Sequence, residues 1–352
     1  MKVYVLPADG HGCGHYRVIW PANVLQRQGF DVQIMPPKRD SGFMARLHDN
    51  EDGTQTLTGL TVPEDADVIV IQRPAHPLQP QMINMLRQNR IALVVDMDDD
   101  MSAIHQDNIA FRYYRSQSAT PQSWRWATES CKLATLVTTS TKTLQRIYAP
   151  HGRGMVLDNY VPEAYLKFPE TDPDTFGWAG TTKSHPNDLQ VSGRAVRTLM
   201  DEGFKFQVVG GRSTVKECLR LKVEPNCTGS VELTEWARTI GERIGVGMVP
   251  LAASAFNTSK SRLKGIEYMS VGVPWVGSPR EEYRKLHRES GCGLLADTPK
   301  DWYSKLKRLL TDDVLRKEQA EAGREFMRDQ TYQANAWRWA EAWTRALEIE
   351  RG

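Results

Sequence analysis

Cysteine is scarce in this chain of 352 residues: there are five, Cys13, Cys131, Cys218, Cys227 and Cys292, and no two form a C-x-x-C pair. An odd, scattered set argues against a disulfide framework and against a structural zinc site, and points to a reducing, cytosolic compartment. Long apolar runs are also missing. None approaches the ~20 residues that a membrane-spanning helix requires. The opening MKVYVLPADG is too short an apolar run for a signal peptide and is broken by Pro7, so any membrane contact is expected to be peripheral. Charge of one sign is lacking as well: 45 basic residues against 43 acidic ones leave +2, so only a local basic patch remains as an electrostatic route to nucleic acid.

What is present is a core-forming composition, 40% hydrophobic and 25% charged, spread over more residues than a single core usually organises. Two domains are therefore expected. Apolar runs at Val3 to Leu6, Val32 to Met35, Val68 to Ile71, Ile91 to Val95 and Leu133 to Val137 predict strands, with helices at Val18 to Gln28 and Gln79 to Gln88 between them. The stretch VPEAYLKFPETDPDT reads as a linker, after which the pattern restarts. It predicts strands at Phe176 to Ala179, Phe204 to Val209 and Val246 to Pro250, and helices at Asp188 to Glu202, Glu235 to Ile240 and Asp301 to Leu310. Such alternation implies α/β domains with parallel sheets. A closing amphipathic helix is expected from Tyr332 to Glu348, with Trp339, Trp343 and Leu347 four residues apart.

Candidate sites follow strand ends. After the first strand comes PADGHGCGHYR, where Gly12 and Gly14 lack the Cβ atoms that keep a ligand off the backbone. A helix beginning near Tyr16 would aim free N–H groups into the same space, and Arg17 would add a charge; a tight structural turn is the alternative. His11, Cys13 and His15 alternate without any common zinc spacing, so no metal is assigned there; His15 is kept as a candidate catalytic group. VVDMDDD ends another strand in four carboxylates. Three readings stand: a D-x-D metal site at Asp96 and Asp98, a base or hydroxyl contact at Asp98 or Asp99, or a solvated strand end with a helix cap. FRYYRSQSATPQSWRW interleaves arginines with aromatics, with Arg112, Tyr113 and Arg115 as candidate acceptor contacts on a nucleic-acid surface, or else aromatics that belong to the core.

The second half carries GWAGTTKSHPNDLQ, with Gly180 and Lys183, and QVVGGRSTVK, with Gly211 and Arg212, both placed where open α/β sheets bind ligands. In SKSRLKGIEYMSVGVPWV, Lys260, Lys264 and Glu267 fall within an arc of about 60° at ~100° per residue, beside the apolar stripe of a helix expected to start at Asn257 to Ser259. A lysine in a first helical turn opposes the helix dipole, a cost that makes sense if an anion binds there; a salt-bridged face is the alternative.

PLAASAFNTSKSRLKGIEYMSVGVPWVGSPREEY, with GCGHYRVIWPANVLQRQGFDV, VDMDDDM, TSTKTLQRIY and GWAGTTKSHPNDL in support, resembles retaining glycosyltransferases of the GT-B fold, close to family 4. The whole pattern looks most like short glycosyltransferases encoded by bacteriophages. The resemblance implies two Rossmann-like domains facing a central cleft, residues 1–165 for the acceptor and 166–330 for the donor, with residues 331–352 forming a helix that crosses back to the first domain. It also implies a nucleotide diphosphate sugar, such as a UDP-sugar, as co-substrate without a metal. Glu267 would bind the ribose, and Lys260 and the helix N-terminus would hold the diphosphate, with Lys183 and Arg212 as further phosphate contacts and Ser261 and Leu263 as nucleotide-sugar contacts. The acceptor implied is a hydroxymethylated pyrimidine in phage DNA, or else a virion protein or surface glycan. One departure is plain: the family's E-x7-E pattern needs an acid at Ser259. That leaves a nucleotide-sugar-binding protein without the chemistry as an alternative.

Overall fold

The computed structural model of the chain describes residues 1–36, 44–115, 122–167, 174–211 and 214–352. Arg212, part of the segment after Arg115 and part of the expected linker lie outside them. The chain divides into two units, one of residues 1–104, 110–159 and 332–352, the other of residues 105–109 and 160–331.

The first unit is built on strands β1 (Lys2–Leu6), β2 (Asp31–Ile34), β5 (Val68–Gln72), β6 (Ala92–Met97), β7 (Leu136–Thr139) and β8 (Gly154–Val156), all parallel, in the order β2-β1-β5-β6-β7-β8. Strands β5, β6 and β7 are buried along their whole length, which is why they read in the sequence as unbroken apolar runs. The chain moves from β1 to one edge and returns to the other side of β1, so the strand order reverses between β1 and β5. In open α/β sheets this is where a crevice forms.

Between β2 and β5 lies an antiparallel pair, β3 (Met44–Asp49) and β4 (Gln55–Thr61), that the apolar pattern does not announce. Every residue of β3 is exposed, so it has no buried face to leave a period-two signature. The terminal segment packs in this unit, as Tyr332–Asn335 followed by Trp337–Arg351 rather than one unbroken helix. Trp339 and Trp343 are buried, and the Trp339 indole donates to the Arg17 carbonyl across 2.8 Å.

The second unit repeats the plan with β9 (Thr175–Ala179), β10 (Lys205–Val209), β11 (Asn226–Cys227), β12 (Val246–Val249), β13 (Trp275–Gly277) and β14 (Leu294–Leu295), ordered β11-β10-β9-β12-β13-β14 and all parallel. Its core includes Phe176, Trp178, Leu199, Met248, Val276 and Trp302. Here the order reverses between β9 and β12. The helix expected from Asp188 to Glu202 is instead a short turn, Leu189–Ser192, and a helix, Ala195–Asp201, separated by Gly193 at φ +57°. A Cβ at Gly193 would lie 2.8 Å from Pro299, so close packing sets the break.

Candidate functional site

At the β1/β5 reversal two amides of the glycine turn are already taken. Asp9 Oδ1 accepts from the N–H of His11 at 2.8 Å and of Gly14 at 3.0 Å, so the chain's own carboxylate fills the anion position. The helical run also starts earlier than expected, at Gly12, and passes through a π-helical stretch, His15–Ile19, before the α-helix Trp20–Arg27. Gly14 is required by packing, because a Cβ there would sit 1.9 Å from the Asp9 carbonyl oxygen. Gly12 has open space at the same position. His15 Nδ1 lies 2.9 Å from the His11 carbonyl oxygen, and its ring meets Trp20 edge-on at 5.4 Å.

Arg17 points the other way from the expectation. It is 1% exposed, and its guanidinium grips Asp96 through two bonds of 3.1 and 2.8 Å and reaches the Leu157 carbonyl and Asn159. A buried cation needs a buried counter-charge, and Asp96 supplies it, with Thr138 donating to the same carboxylate at 2.8 Å. This corrects the expectation of Arg17 as an anion contact and removes Asp96 from a D-x-D metal pair. Asp100 is a cap: its Oδ1 accepts from the Ser102 N–H at 3.0 Å.

Asp98 and Asp99 instead converge on Arg73, which no motif in the sequence marks. Arg73, directly after β5, donates through Nε and Nη2 to the two oxygens of Asp98, the second at 2.7 Å, and through Nη2 to Asp99 at 3.1 Å. Burial pushes the Cys13 thiol and the Tyr114 phenol beside this group each up to about 12, so both stay protonated at neutral pH.

In the second unit the β9/β12 reversal gathers charged and polar groups. Gly180 ends β9, and Gly210, at φ +132°, ends β10; a Cβ on Gly210 would lie 2.2 Å from the Gly180 oxygen, so the two turns touch through bare backbone. Gly211 follows against the Thr181 side chain. Lys183 is exposed, in a turn tied to the segment 105–109 by the Ile109 N–H on the Lys183 carbonyl at 2.9 Å.

Asp188, 1% exposed, ties this turn to the one after β12. It accepts from the Ala252 N–H at 2.9 Å and the Asn257 amide at 2.6 Å, and its second oxygen is 3.1 Å from His185 Nδ1. Burial holds His185 down to about 4, with Lys264 and Lys260 lowering it further, so the ring is neutral at physiological pH.

The helix expected from Asn257 is split. A single turn, Ala255–Thr258, is capped by Ser254, and the helix proper is Leu263–Ser270. The Ser259 hydroxyl donates to the Phe256 carbonyl at 2.8 Å, and the Asn257 amide is turned to Asp188, both competing with helix continuation. Lys260 therefore lies in the connection and not in a first helical turn. Its Nζ is 4.3 Å from the Phe256 ring centre, and Ser261 beside it and Leu263 at the helix start are half-buried. Lys264 Nζ donates to the Ala179 carbonyl at 2.6 Å, and burial lowers its pKa while the Glu267 charge opposes that shift. Glu267, one turn on and 5% exposed, accepts from the Trp236 indole N–H at 2.9 Å. Gly180, His185, Lys260, Lys264 and Glu267 thus gather at one end of one sheet.

Of the expected acceptor contacts, Arg112 and Tyr113 are exposed on the short helix Phe111–Tyr114, while Arg115 donates to the Ile104 carbonyl at 3.0 Å and lies 5.7 Å from the Phe111 ring centre. Among the described residues, no group of three or more His, Cys, Asp or Glu side chains is arranged to hold a metal ion. No described helix is long and apolar enough to cross a membrane.

Two parallel α/β units with a terminal helix returned to the first define the GT-B fold. Residues 173–312 match the family model of glycosyl transferases group 1. No curated protein matches the sequence. Among solved structures, a glycosyltransferase from Rickettsia africae ESF-5 is similar over 99% of this chain and 98% of its own, at 12% identity and a TM-score of 0.64. An alpha-glucosyltransferase in complex with UDP and a 13-mer DNA containing an HMU base is similar over the full length of both chains, at 12% identity and a TM-score of 0.61. TarM is similar over 80% of this chain at 14% identity and a TM-score of 0.57, and the chain spans about half, 55%, of the length of TarM.

Proposed function

We propose that the protein is a glycosyltransferase that moves a sugar from a nucleoside diphosphate to a hydroxyl acceptor, with the donor held by the second unit. The observation that carries this reading is Glu267: a buried carboxylate, anchored by Trp236, on the helix that follows the β12 turn, with Lys264 beside it and Lys260 beside that lysine. In the proposed arrangement Glu267 accepts hydrogen bonds from the ribose hydroxyls. Lys260, Lys264 and the backbone of the Gly180 and Gly211 turns meet the diphosphate, and Lys183 is an outer contact.

The reaction on this reading forms a bond from the acceptor oxygen to the sugar C1 and breaks the bond from C1 to the phosphate oxygen, and the hydroxyl proton passes to the departing diphosphate. No protein nucleophile is needed. The unit's task is to place the reactants and stabilise the departing charge. Attack from the face that the diphosphate leaves retains the anomeric configuration, and the lysines supply the countercharge that a metal supplies elsewhere.

The acceptor we propose is a hydroxymethylated pyrimidine in DNA, approached by Arg112, Tyr113 and Arg115, with Asp98 or Asp99 facing its hydroxyl. The exposed arginine and tyrosine support this, as does the fold shared with an alpha-glucosyltransferase bound to UDP and DNA. The donor half is tested by thermal melting: UDP at ~100 times its Kd should stabilise the chain by about 2.7 kcal/mol. Glu267→Ala should abolish that gain, and equal protection of the variant rejects the donor assignment. The acceptor half is tested by binding to hydroxymethylcytosine DNA across a salt series. Losing one phosphate contact, in Arg112→Ala, should lower the salt slope by about 1. Absence of binding at low salt rejects DNA as the acceptor.

A further inference from the structure

Arg73 is the residue of the first unit that neither the strand pattern nor the proposed transfer explains. It follows β5 at the β1/β5 reversal, with its backbone at φ +49°, in the left-handed region. A non-glycine residue there costs about 1–2 kcal/mol, and such conformations gather at sites where geometry matters more than stability. Its own N–H is tied to the Asp96 carbonyl at 3.0 Å, so the backbone is held by the neighbouring strand while the side chain turns to Asp98 and Asp99.

The pair is neither sealed in the core nor free on the surface. Arg73 and Asp98 side chains are 12% and 11% exposed, and Asp99 is 18% exposed, so the group reaches solvent at the strand ends. This differs from Arg17 and Asp96, both 1% exposed, which close the core beneath it. A purely structural ion pair is already present one layer down, and the second has its own left-handed residue to aim it. Other titratable and charged groups that act on it are Cys13 and Arg17 from the turn and helix after β1, Tyr114, and Tyr148, whose hydroxyl also donates to the Asp99 carbonyl at 3.2 Å. The thiol and the phenol remain protonated, and the carboxylates are the stronger acceptors of the group.

We propose that Arg73 is a positioning residue: its fork holds Asp98, with Asp99 beside it, oriented to accept the hydrogen bond of an acceptor hydroxyl at the β1/β5 strand ends. It rests on the reading of this strand end as the acceptor side of the transfer. Asp98 holds the hydroxyl before transfer, the hydroxyl proton turns to the departing diphosphate as the new bond forms, and Arg73 acts through Asp98.

The experiment compares the full-length wild type with Arg73→Gln and Arg73→Lys. UDP, GDP, ADP and dTDP are tried in turn for thermal protection, and the glucose conjugate of the protecting nucleotide is then followed for nucleotide release to water across pH. The expected result is protection unchanged in all three proteins and kcat lowered about 100-fold in Arg73→Gln, with KM for the donor little altered. Lysine keeps the charge without the fork and should restore part of the rate. Loss of the neighbouring cation disfavours a charged carboxylate, so the acid limb of kcat in Arg73→Gln should move to higher pH. Wild-type kcat and pH profile in Arg73→Gln, with protection intact, overturn the role of Arg73 alone. A fall in rate that tracks a fall in melting midpoint, with no shift of the acid limb in either variant, makes Arg73 structural and also overturns it. Failure of all four nucleotides to protect the wild type defeats the donor reading, and this proposal with it.

Discussion

The indole N–H of Trp236 donates to Oε1 of Glu267 at 2.9 Å, joining the helix Leu233–Arg243 to the helix Leu263–Ser270. Glu267 is buried, so its carboxylate depends on such bonds to hold one orientation.

Trp236→Phe keeps an aromatic ring and deletes the donor. A hydrogen bond to a charged group is worth about 1.5–3 kcal/mol, so nucleoside diphosphate should bind on the order of 10-fold more weakly or worse by calorimetry. Unchanged affinity means that Glu267 is oriented by other contacts.

Gly14 and Gly12 make a matched pair. Gly14→Ala drives a methyl into the Asp9 carbonyl and should destabilise the chain by about 1–3 kcal/mol in urea unfolding. Gly12→Ala, with open space around it, should be neutral or stabilising by about 0.5–1 kcal/mol, as alanine favours helix over glycine. Equal effects at the two positions would contradict the close approach at Gly14.

Restoring the absent acid should fail. Ser259 is fully buried, and its hydroxyl is bonded to the Phe256 carbonyl. Ser259→Glu places a carboxylate where nothing solvates it, and a lowered melting midpoint, from a loss on the order of 3 kcal/mol, is expected instead of faster transfer. A stable, faster variant would show that the position opens to the donor sugar.

His185 sets a pH dependence. Its folded pKa, about 4, lies below the unfolded value near 6.5, so the unfolded chain binds the extra proton between the two. The contribution is fully present above about pH 6.5 and is lost as pH falls toward about 4, with a slope of at most about 1.4 kcal/mol per pH unit. The stability difference between wild type and His185→Gln, measured by urea unfolding from pH 7 to pH 4.5, should therefore shift against the wild type on acidification. A difference independent of pH means that His185 titrates alike in both states.

How much of this was legible in the sequence differs from one residue to the next. Strands β5, β6, β7, β9 and β12 were legible because burial on both faces leaves continuous apolar runs, and Glu267 stood out as a charge on a core-bound helix. Asp188 and Trp236 were not singled out. Their partners Asn257 and Glu267 lie 69 and 31 residues away, beyond the reach of any local pattern. Arg73 was hidden as one of 45 basic residues, with no signal that its backbone is left-handed. Arg17 was legible as a charge beside a glycine turn but not in its direction, because only the pairing of β6 with its neighbours puts Asp96 beneath it.

The sequence by itself determined the alternation of parallel strands and helices, the restart in the second half and the position of Glu267. Periodicity and burial are properties of short segments, and short segments carry them in their own residues. Tertiary structure alone decided which charges reach solvent at the strand ends and which are consumed in the core. A guanidinium or carboxylate has the same sequence signature whether it meets solvent or a buried partner, and only the folded chain brings that partner within hydrogen-bonding distance.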